Sequence, residues 1–246
     1  MSLSTLLAAD SYVLGEEWLQ GRTAYGGAST AIALHAAMRT FPDLPSLRSA
    51  QIAFVGPLAG GVTATPSFLR RGKNSAFVAV DVSGGDGIGL RALFLFMTAR
   101  ASAIRHSDLE APPRTAPEQQ LADPDTLPQG FLRNFDLTHG PRTPGTVRRW
   151  ARLRERDGLD PMVELVAIAD ALPPAAMSLI EGWGPISTTT WQLNLVVDAP
   201  QTRDGWWLLE ARTLNAADGS SSQTMTIWNR DGSPVATATQ SVALFV

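Results

Sequence analysis

Seven of the chain's seventeen prolines fall in one stretch, from Pro112 to Pro144. Proline fixes φ and donates no backbone hydrogen bond, so no regular helix or central strand runs through such a stretch. Residues 106–130 therefore read as an extended, proline-rich linker between an N-terminal unit, 1–105, and a C-terminal unit, 131–246. A chain of 246 residues has room for one large domain or for two of roughly 100–120 residues.

The two flanks are alike in order. In the first, the small-residue stretch YGGASTAIALHAAM (25–38) precedes a long alternating segment. In the second, DPMVELVAIADAL (160–172) does the same. Each long segment carries a turn after a proline (Pro57, Pro200) and a later Asp-Gly turn (Asp86-Gly87, Asp231-Gly232). A repeat of one helix followed by several strands fits this order better than alternating βαβ units do. The helix predicted over 26–38 has small side chains all round, which suits burial inside a curved sheet. Its start has two glycines and no strong capping side chain, which leaves backbone N–H groups available. The second helix has Asp160 as N-cap and Pro161 at the preferred first position, and Pro173-Pro174 stops it. In residues 191–197, Trp191, Leu193, Leu195 and Val197 alternate with Gln192, Asn194 and Val196, the pattern of half-buried antiparallel strand.

Composition narrows the classes of function. A net charge of −3 and a pI near 5.6 lack the basic footprint of nucleic-acid binding. No apolar run approaches the ~20 residues of a membrane-spanning helix. The opening residues lack the basic start and cleavage site of an export signal, so a cytoplasmic location is expected. There is no cysteine, hence no thiolate nucleophile and no Cys-ligated zinc. Three scattered histidines (His35, His106, His139) do not make a metal site, and neither GxSxG nor a phosphate-binding glycine fingerprint occurs. The expectation is an activity without metal or organic cofactor.

Asp170 stands out among the remaining residues. It follows Val163, Val166 and Ala167 at helical spacing, and a carboxylate among apolar side chains is costly unless paired or used. A position in the last turn of a helix disfavours an anion as well. Both effects push its pKa up, as a general base near neutrality requires; an exposed carboxylate at a helix end is the plainer alternative. Thr188, Thr189, Thr190 and Gln240 lie on predicted strands, where threonine is common and a glutamine can simply face solvent. The N–H groups of Gly26, Gly27 and Ala28 can polarise a carbonyl, or the glycines can serve close packing alone. Arg70, Arg71 and Lys73 can meet the phosphates of a coenzyme A moiety, or form a solvated hairpin. His35, inside the Ala-rich helix, reads as a packed helix residue rather than a site residue.

The ordered set YGG plus small-residue helix, FVGPLAGG and LRRGKNSAF, then LVAIADALP, TTTWQLNL, WWLLEA and DGSPVATATQ, resembles the acyl-CoA thioesterase II family over nearly the whole chain. The resemblance implies an α+β double hotdog, two antiparallel sheets each wrapped around a central helix. It implies hydrolysis of acyl-CoA to free fatty acid and CoA without a covalent intermediate. The family's water-orienting Asp, Thr and Gln fall on Asp170, Thr188 and Gln240, with Gly26, Gly27, Arg70 and Lys73 as substrate-binding candidates. Strict alternation, however, puts Thr189 rather than Thr188 on the Trp191 face. The chain also departs from the family at Thr190, where an Asp is usual. Acyl-CoA is the implied partner, with no nucleic acid or membrane, and with room for a homo-oligomer of such subunits. The rival readings are a non-catalytic acyl-CoA or fatty-acid binding protein, and a hotdog enoyl-thioester hydratase, which needs a His beside its Asp.

Overall fold

The computed structural model describes the chain except Asp10, Pro124, Asp125, Pro128, Gln129, Gly182, Trp183 and Val246, and the side chain of Arg142. The part of the linker reading that falls on Pro124, Asp125, Pro128 and Gln129 lies outside the described residues.

A short helix, α1 (Leu3–Ala8), opens the chain, capped where Ser2 accepts from the Thr5 amide. Its buried Leu3, Leu6 and Leu7 tie it to the core, a helix the sequence patterning did not single out. Strand β1 (Tyr12–Leu14) and the small ribbon of β2 (Leu19–Gln20) and β3 (Thr23–Ala24) lead into helix α2 (Gly26–Thr40). Four strands follow: β4 (Leu47–Phe54), β5 (Gly60–Arg71), β6 (Ser75–Gly84) and β7 (Gly87–Met97). The second half has β8 (Phe135–Leu137), β9 (Arg142–Thr143), β10 (Thr146–Leu153) and helix α3 (Pro161–Ala169). Its own run of four is β11 (Ile186–Leu195), β12 (Trp207–Ala217), β13 (Ser220–Asn229) and β14 (Pro234–Leu244).

Helices α2 and α3 are thus each followed by four strands joined in the same way. In the sheet the order is β5-β6-β7-β4 on one side and β11-β14-β13-β12 on the other, so the first strand of each run lies beside its fourth. Pro57 and Pro200 occupy the connection after the first strand of each run. The Asp-Gly turns at Asp86-Gly87 and Asp231-Gly232 close the hairpin of the last two.

The two runs meet edge to edge: β4 and β11 pair antiparallel, Thr190 opposite Ala53 through Asn194 opposite Ser49, so the strands of both halves continue as one sheet of twelve. The cause is backbone chemistry: each run would otherwise leave one side of its first strand unpaired, and two such edges satisfy each other.

The helices are buried as their sequences require. Ala28, Ala31, Ala33 and Ala37 let α2 approach β5, β6 and β7 closely. In α3, every residue from Leu165 to Ala169 is buried, and Asp160 caps its start by accepting from the Met162 and Val163 amides at 2.8 and 3.3 Å. On the opposite face of the second half, Trp150, Trp206, Leu208 and Trp228 form a separate apolar cluster. The proline-rich segment crosses it: Trp228 Nε1 donates to the Leu109 carbonyl at 2.8 Å and Trp150 Nε1 to that of Thr115 at 2.9 Å. Among the described residues, no helix is long and apolar enough to cross a membrane.

Candidate active site

The start of α2 meets the end of α3. Tyr25, the N-cap of α2, is fully buried, and its hydroxyl donates to the Ala167 carbonyl at 2.6 Å. Its ring stacks on Phe131 with centroids 4.1 Å apart, so the junction is held from both halves of the chain. Two glycines permit this approach. A Cβ at Gly27 would run into the Ala167 carbonyl and lie 2.6 Å from the Tyr25 ring, and one at Gly26 would lie 2.5 Å from Asp170 Oδ2. The glycine pair thus permits close packing, and the Gly27 N–H also faces the Asp170 carboxylate.

Asp170 sits at the junction as the residue capping the C-terminal end of α3. Burial pushes its carboxyl from an ordinary 3.8 up to about 7; the Gln240 side-chain amide and the Gly27 backbone N–H, both interacting with the anion, hold it from rising further. The positive end of α2 favours the anion too, while the end of α3 that it caps opposes it. Burial likewise pushes the Tyr25 hydroxyl well above its ordinary value, and the nearby Asp170 charge adds to the rise.

Gln240 comes from β14 and is 5% exposed. Its Nε2 donates to Asp170 Oδ1 at 2.8 Å. It therefore points inward, not to bulk solvent. Behind it stands Gln223 on β13, 1% exposed, which sequence reasoning did not pick out. Gln223 Nε2 donates to Gln240 Oε1 at 2.5 Å, and Gln223 Oε1 accepts from the Ala175 backbone N–H at 2.8 Å. The available signal was weak, a glutamine in an otherwise ordinary alternating strand.

The threonines are sorted by a β-bulge. Thr188 pairs with Val242 and Thr190 with Ser241, leaving Thr189 as the extra residue, its hydroxyl donating to the Ser241 carbonyl at 3.0 Å. The bulge breaks the alternation, so Thr188 shares a face with Val242, Gln240 and Trp191, and Thr190 falls with Ser241 on the other. The alternation argument for Thr189 is corrected by this extra residue. Among the described residues, Thr188 makes no side-chain hydrogen bond to Asp170 or Gln240. On the same inner face, Ser221 Oγ and Trp191 Nε1 are buried with no hydrogen-bond partner among the described residues.

Other candidates are not gathered here. Arg70 and Lys73 lie at the β5–β6 turn, where Arg71 pairs with Asp43 just beyond the last turn of α2. Asp170 faces the first turn of that helix, whose 15 residues span about 22 Å at 1.5 Å per residue. His35 lies well along α2, packed edge-on to Tyr12 with centroids 6.4 Å apart; burial, with Arg39 nearby, lowers its pKa. His106 is exposed beside Asp108.

Two central helices, of 15 and 9 residues, each followed by four strands of one antiparallel sheet, place the protein in the hot dog class. The architecture matches a conserved protein of unknown function with a hot dog fold from Alicyclobacillus acidocaldarius. The TM-score is 0.87 at 18% identity, over 99% of this chain and 98% of that one. It is also similar to an acyl-CoA thioesterase II, TesB2, from Mycobacterium marinum, with a TM-score of 0.76 at 19% identity over 99% and 98% of the two chains. No curated protein gives a sequence match. Family models for the acyl-CoA thioesterase N-terminal domain and C-terminal domain match residues 14–102 and 108–244. The chain belongs to the acyl-CoA thioesterase family.

Proposed function

We propose that the protein hydrolyses acyl-CoA thioesters to a free acid and CoA, with Asp170 as the general base. The observation that carries this reading is the Asp170–Gln240 hydrogen bond around a carboxyl raised to about 7. A carboxyl with that pKa is about half ionised at neutral pH, and its anion is basic enough to take a proton from water. The hydroxide so formed adds to the thioester carbonyl carbon. The carbonyl oxygen becomes an oxyanion that can accept the second Nε2 hydrogen of Gln240, the one not committed to Asp170. Collapse of the tetrahedral intermediate breaks the C–S bond, and the departing sulfur takes back the proton held by Asp170. Thr188, on the Gln240 face, orients the water. The unpartnered Ser221 hydroxyl and Trp191 indole N–H support a site that polar substrate atoms complete, since buried polar groups are ordinarily hydrogen-bonded.

The same reading takes the chain as a double hotdog of two helix-and-sheet units, 1–105 and 131–246, joined by residues 106–130 and working in the cytoplasm. Gly26 and Gly27 shape the wall against the thioester. Arg70 and Lys73 contact the CoA phosphates only if the coenzyme lies extended along α2, because they sit at its opposite end.

The deciding experiment is a free-thiol assay on short, medium and long acyl-CoAs, with Asp170→Asn as control. Thiol release that the variant loses supports the reading. Acyl-CoA retention without thiol release would leave a binding protein. Hydration of an enoyl-CoA would point to a hydratase, although no His contacts Asp170 among the described residues.

A further inference from the structure

The donors and acceptors around Gln240 form a chain with one direction. It begins at the Ala175 backbone N–H, a group that can only donate. Because that N–H meets Gln223 at 2.8 Å, the atom it meets must be the amide oxygen, which turns the Gln223 NH2 toward Gln240. Gln240 must then present its own oxygen to Gln223, and its NH2 is left facing Asp170 at 2.8 Å. An isolated glutamine amide can rotate by half a turn at little cost, exchanging donor for acceptor. Here the exchange would set two amide oxygens, or two NH2 groups, face to face in a buried site, and each unsatisfied group carries a desolvation penalty.

We propose that Gln223 is a positioning residue for the hydrolytic site: anchored on the Ala175 amide, it fixes the orientation of Gln240 so that Gln240 is always a donor toward Asp170 and the substrate. This rests on the role given to Asp170 above and extends it to a residue that touches neither water nor thioester. The register supports it. Gln223 and Gln240 are direct cross-strand partners on β13 and β14, and Trp191 on β11 is the partner of Gln240 on its other side. The strands on both sides fix the backbone of Gln240, and its buried side chain is held by the two amide contacts to Gln223 and Asp170. The Ala175 amide is itself well placed as an anchor. It lies at the start of the short turn Ala175–Leu179, whose first two residues are buried, Ala175 fully.

The orientation matters chemically. An NH2 facing Asp170 favours the carboxylate, which can accept a proton; an oxygen facing it favours the protonated acid, which cannot. Among the described residues, Tyr25, Gly26 and the Gly27 amide at the start of α2 and Gln240 from β14 face Asp170, and Tyr25 is the titratable one of these. Gln223 thus acts on the base through a single intermediate side chain.

Two variants test this, Gln223→Glu and Gln223→Met. An ionised glutamate can still accept from Ala175 but cannot donate to Gln240, so at pH values where it is ionised it draws the Gln240 NH2 toward itself and turns the oxygen to Asp170. A methionine removes both contacts and adds no charge. The carboxyl pKa of Asp170, read by 13C NMR in the full chain without substrate, should rise in both variants and more in Gln223→Glu. The acidic limb of kcat/KM should move up with it, with activity at pH 7 falling at least tenfold in Gln223→Glu and recovering in part at higher pH. An unchanged Asp170 pKa in Gln223→Met overturns the proposal, since a rise confined to Gln223→Glu would come from its charge. If neither variant folds, the wild type decides. Slowly exchanging Nε2 hydrogens on both glutamines support the chain, and fast exchange on either overturns it. Because the NMR readout needs no turnover, an inactive wild type would remove the proposed function without touching this result.

Discussion

Gln240 donates to Asp170 across 2.8 Å, joining residues seventy positions apart and fastening the last strand of the chain to the end of α3. The bond gives a nearly buried carboxylate the partner it needs. It is also where a change in either residue should be felt first in catalysis.

Asp170→Asn should keep the fold and lose acyl-CoA hydrolysis, because the amide oxygen can accept from Gln240 but an amide cannot take a proton from water. Loss of a general base typically costs about 10²–10⁴-fold. The fall should appear in kcat with KM little changed, measured by thiol release under saturating substrate. Wild-type turnover in this variant would remove Asp170 from the mechanism.

The pH dependence follows from the raised carboxyl. With a folded-state value of about 7, kcat/KM should climb roughly tenfold per pH unit below neutrality and level off above it. A profile already flat at pH 5 would contradict the assignment.

Stability should run the opposite way. The ordinary value is 3.8 and the folded value about 7, so between these the folded protein holds a proton that the unfolded chain releases. The contribution of this site to stability therefore falls as pH rises through that window. Asparagine does not titrate, so Asp170→Asn should melt higher than wild type at pH 8, with the difference shrinking toward pH 4. The shift sets an upper bound of about 4 kcal/mol on that gain. Thermal melts at the two pH values measure it.

The two glycines of α2 should fail differently. Gly26→Ala places a methyl 2.5 Å from Asp170 Oδ2 and 2.9 Å from the Phe54 ring, so the carboxylate must move and activity should drop while the fold survives. Gly27→Ala drives a methyl into the Ala167 backbone carbonyl, which cannot move aside, and overpacking of this kind costs about 1–3 kcal/mol. Urea unfolding and the thiol assay, run on both variants, separate the two effects.

Thr188→Val should lower kcat and Thr189→Ala should not. Thr188 shares the Gln240 face, whereas Thr189 is the bulged residue with its hydroxyl on the Ser241 carbonyl. A lost hydrogen bond of about 0.5–1.5 kcal/mol corresponds to a roughly 2- to 10-fold slower reaction. Equal activity of Thr188→Val and wild type would take the water-orienting role from that residue.

Features with a local chemical cause were legible before the structure. Asp160-Pro161 announces the start of α3 because a cap and a fixed φ act within one turn, and Asp170 is conspicuous because a charge among Val163, Val166 and Ala167 demands a reason. Features set by distant partners were not. The bulge at Thr189 exists only in relation to β14. Gln223 looks like any polar strand residue until β12 and β14 cover β13 from both sides. The pairing of β4 with β11 joins segments whose sequences carry no mark of each other, because backbone ladders read register rather than side-chain identity. The tryptophans at 150, 206 and 228 are visible as large apolar residues, but not as the outer cluster beneath the proline-rich crossing.

The pairing of β4 with β11 has one more consequence. The halves are joined by a backbone ladder and by the Tyr25–Ala167 and Tyr25–Phe131 contacts, and the connecting segment is itself hydrogen-bonded to the second half at Leu109 and Thr115, so the covalent link between the first half and that segment serves largely to raise the concentration of each part at the other. Such a link supplies an effective concentration on the order of millimolar. Cutting the chain between residues 105 and 106 should therefore leave two polypeptides that find each other again. Neither fragment alone would have the groups to hold Asp170 against Gly27.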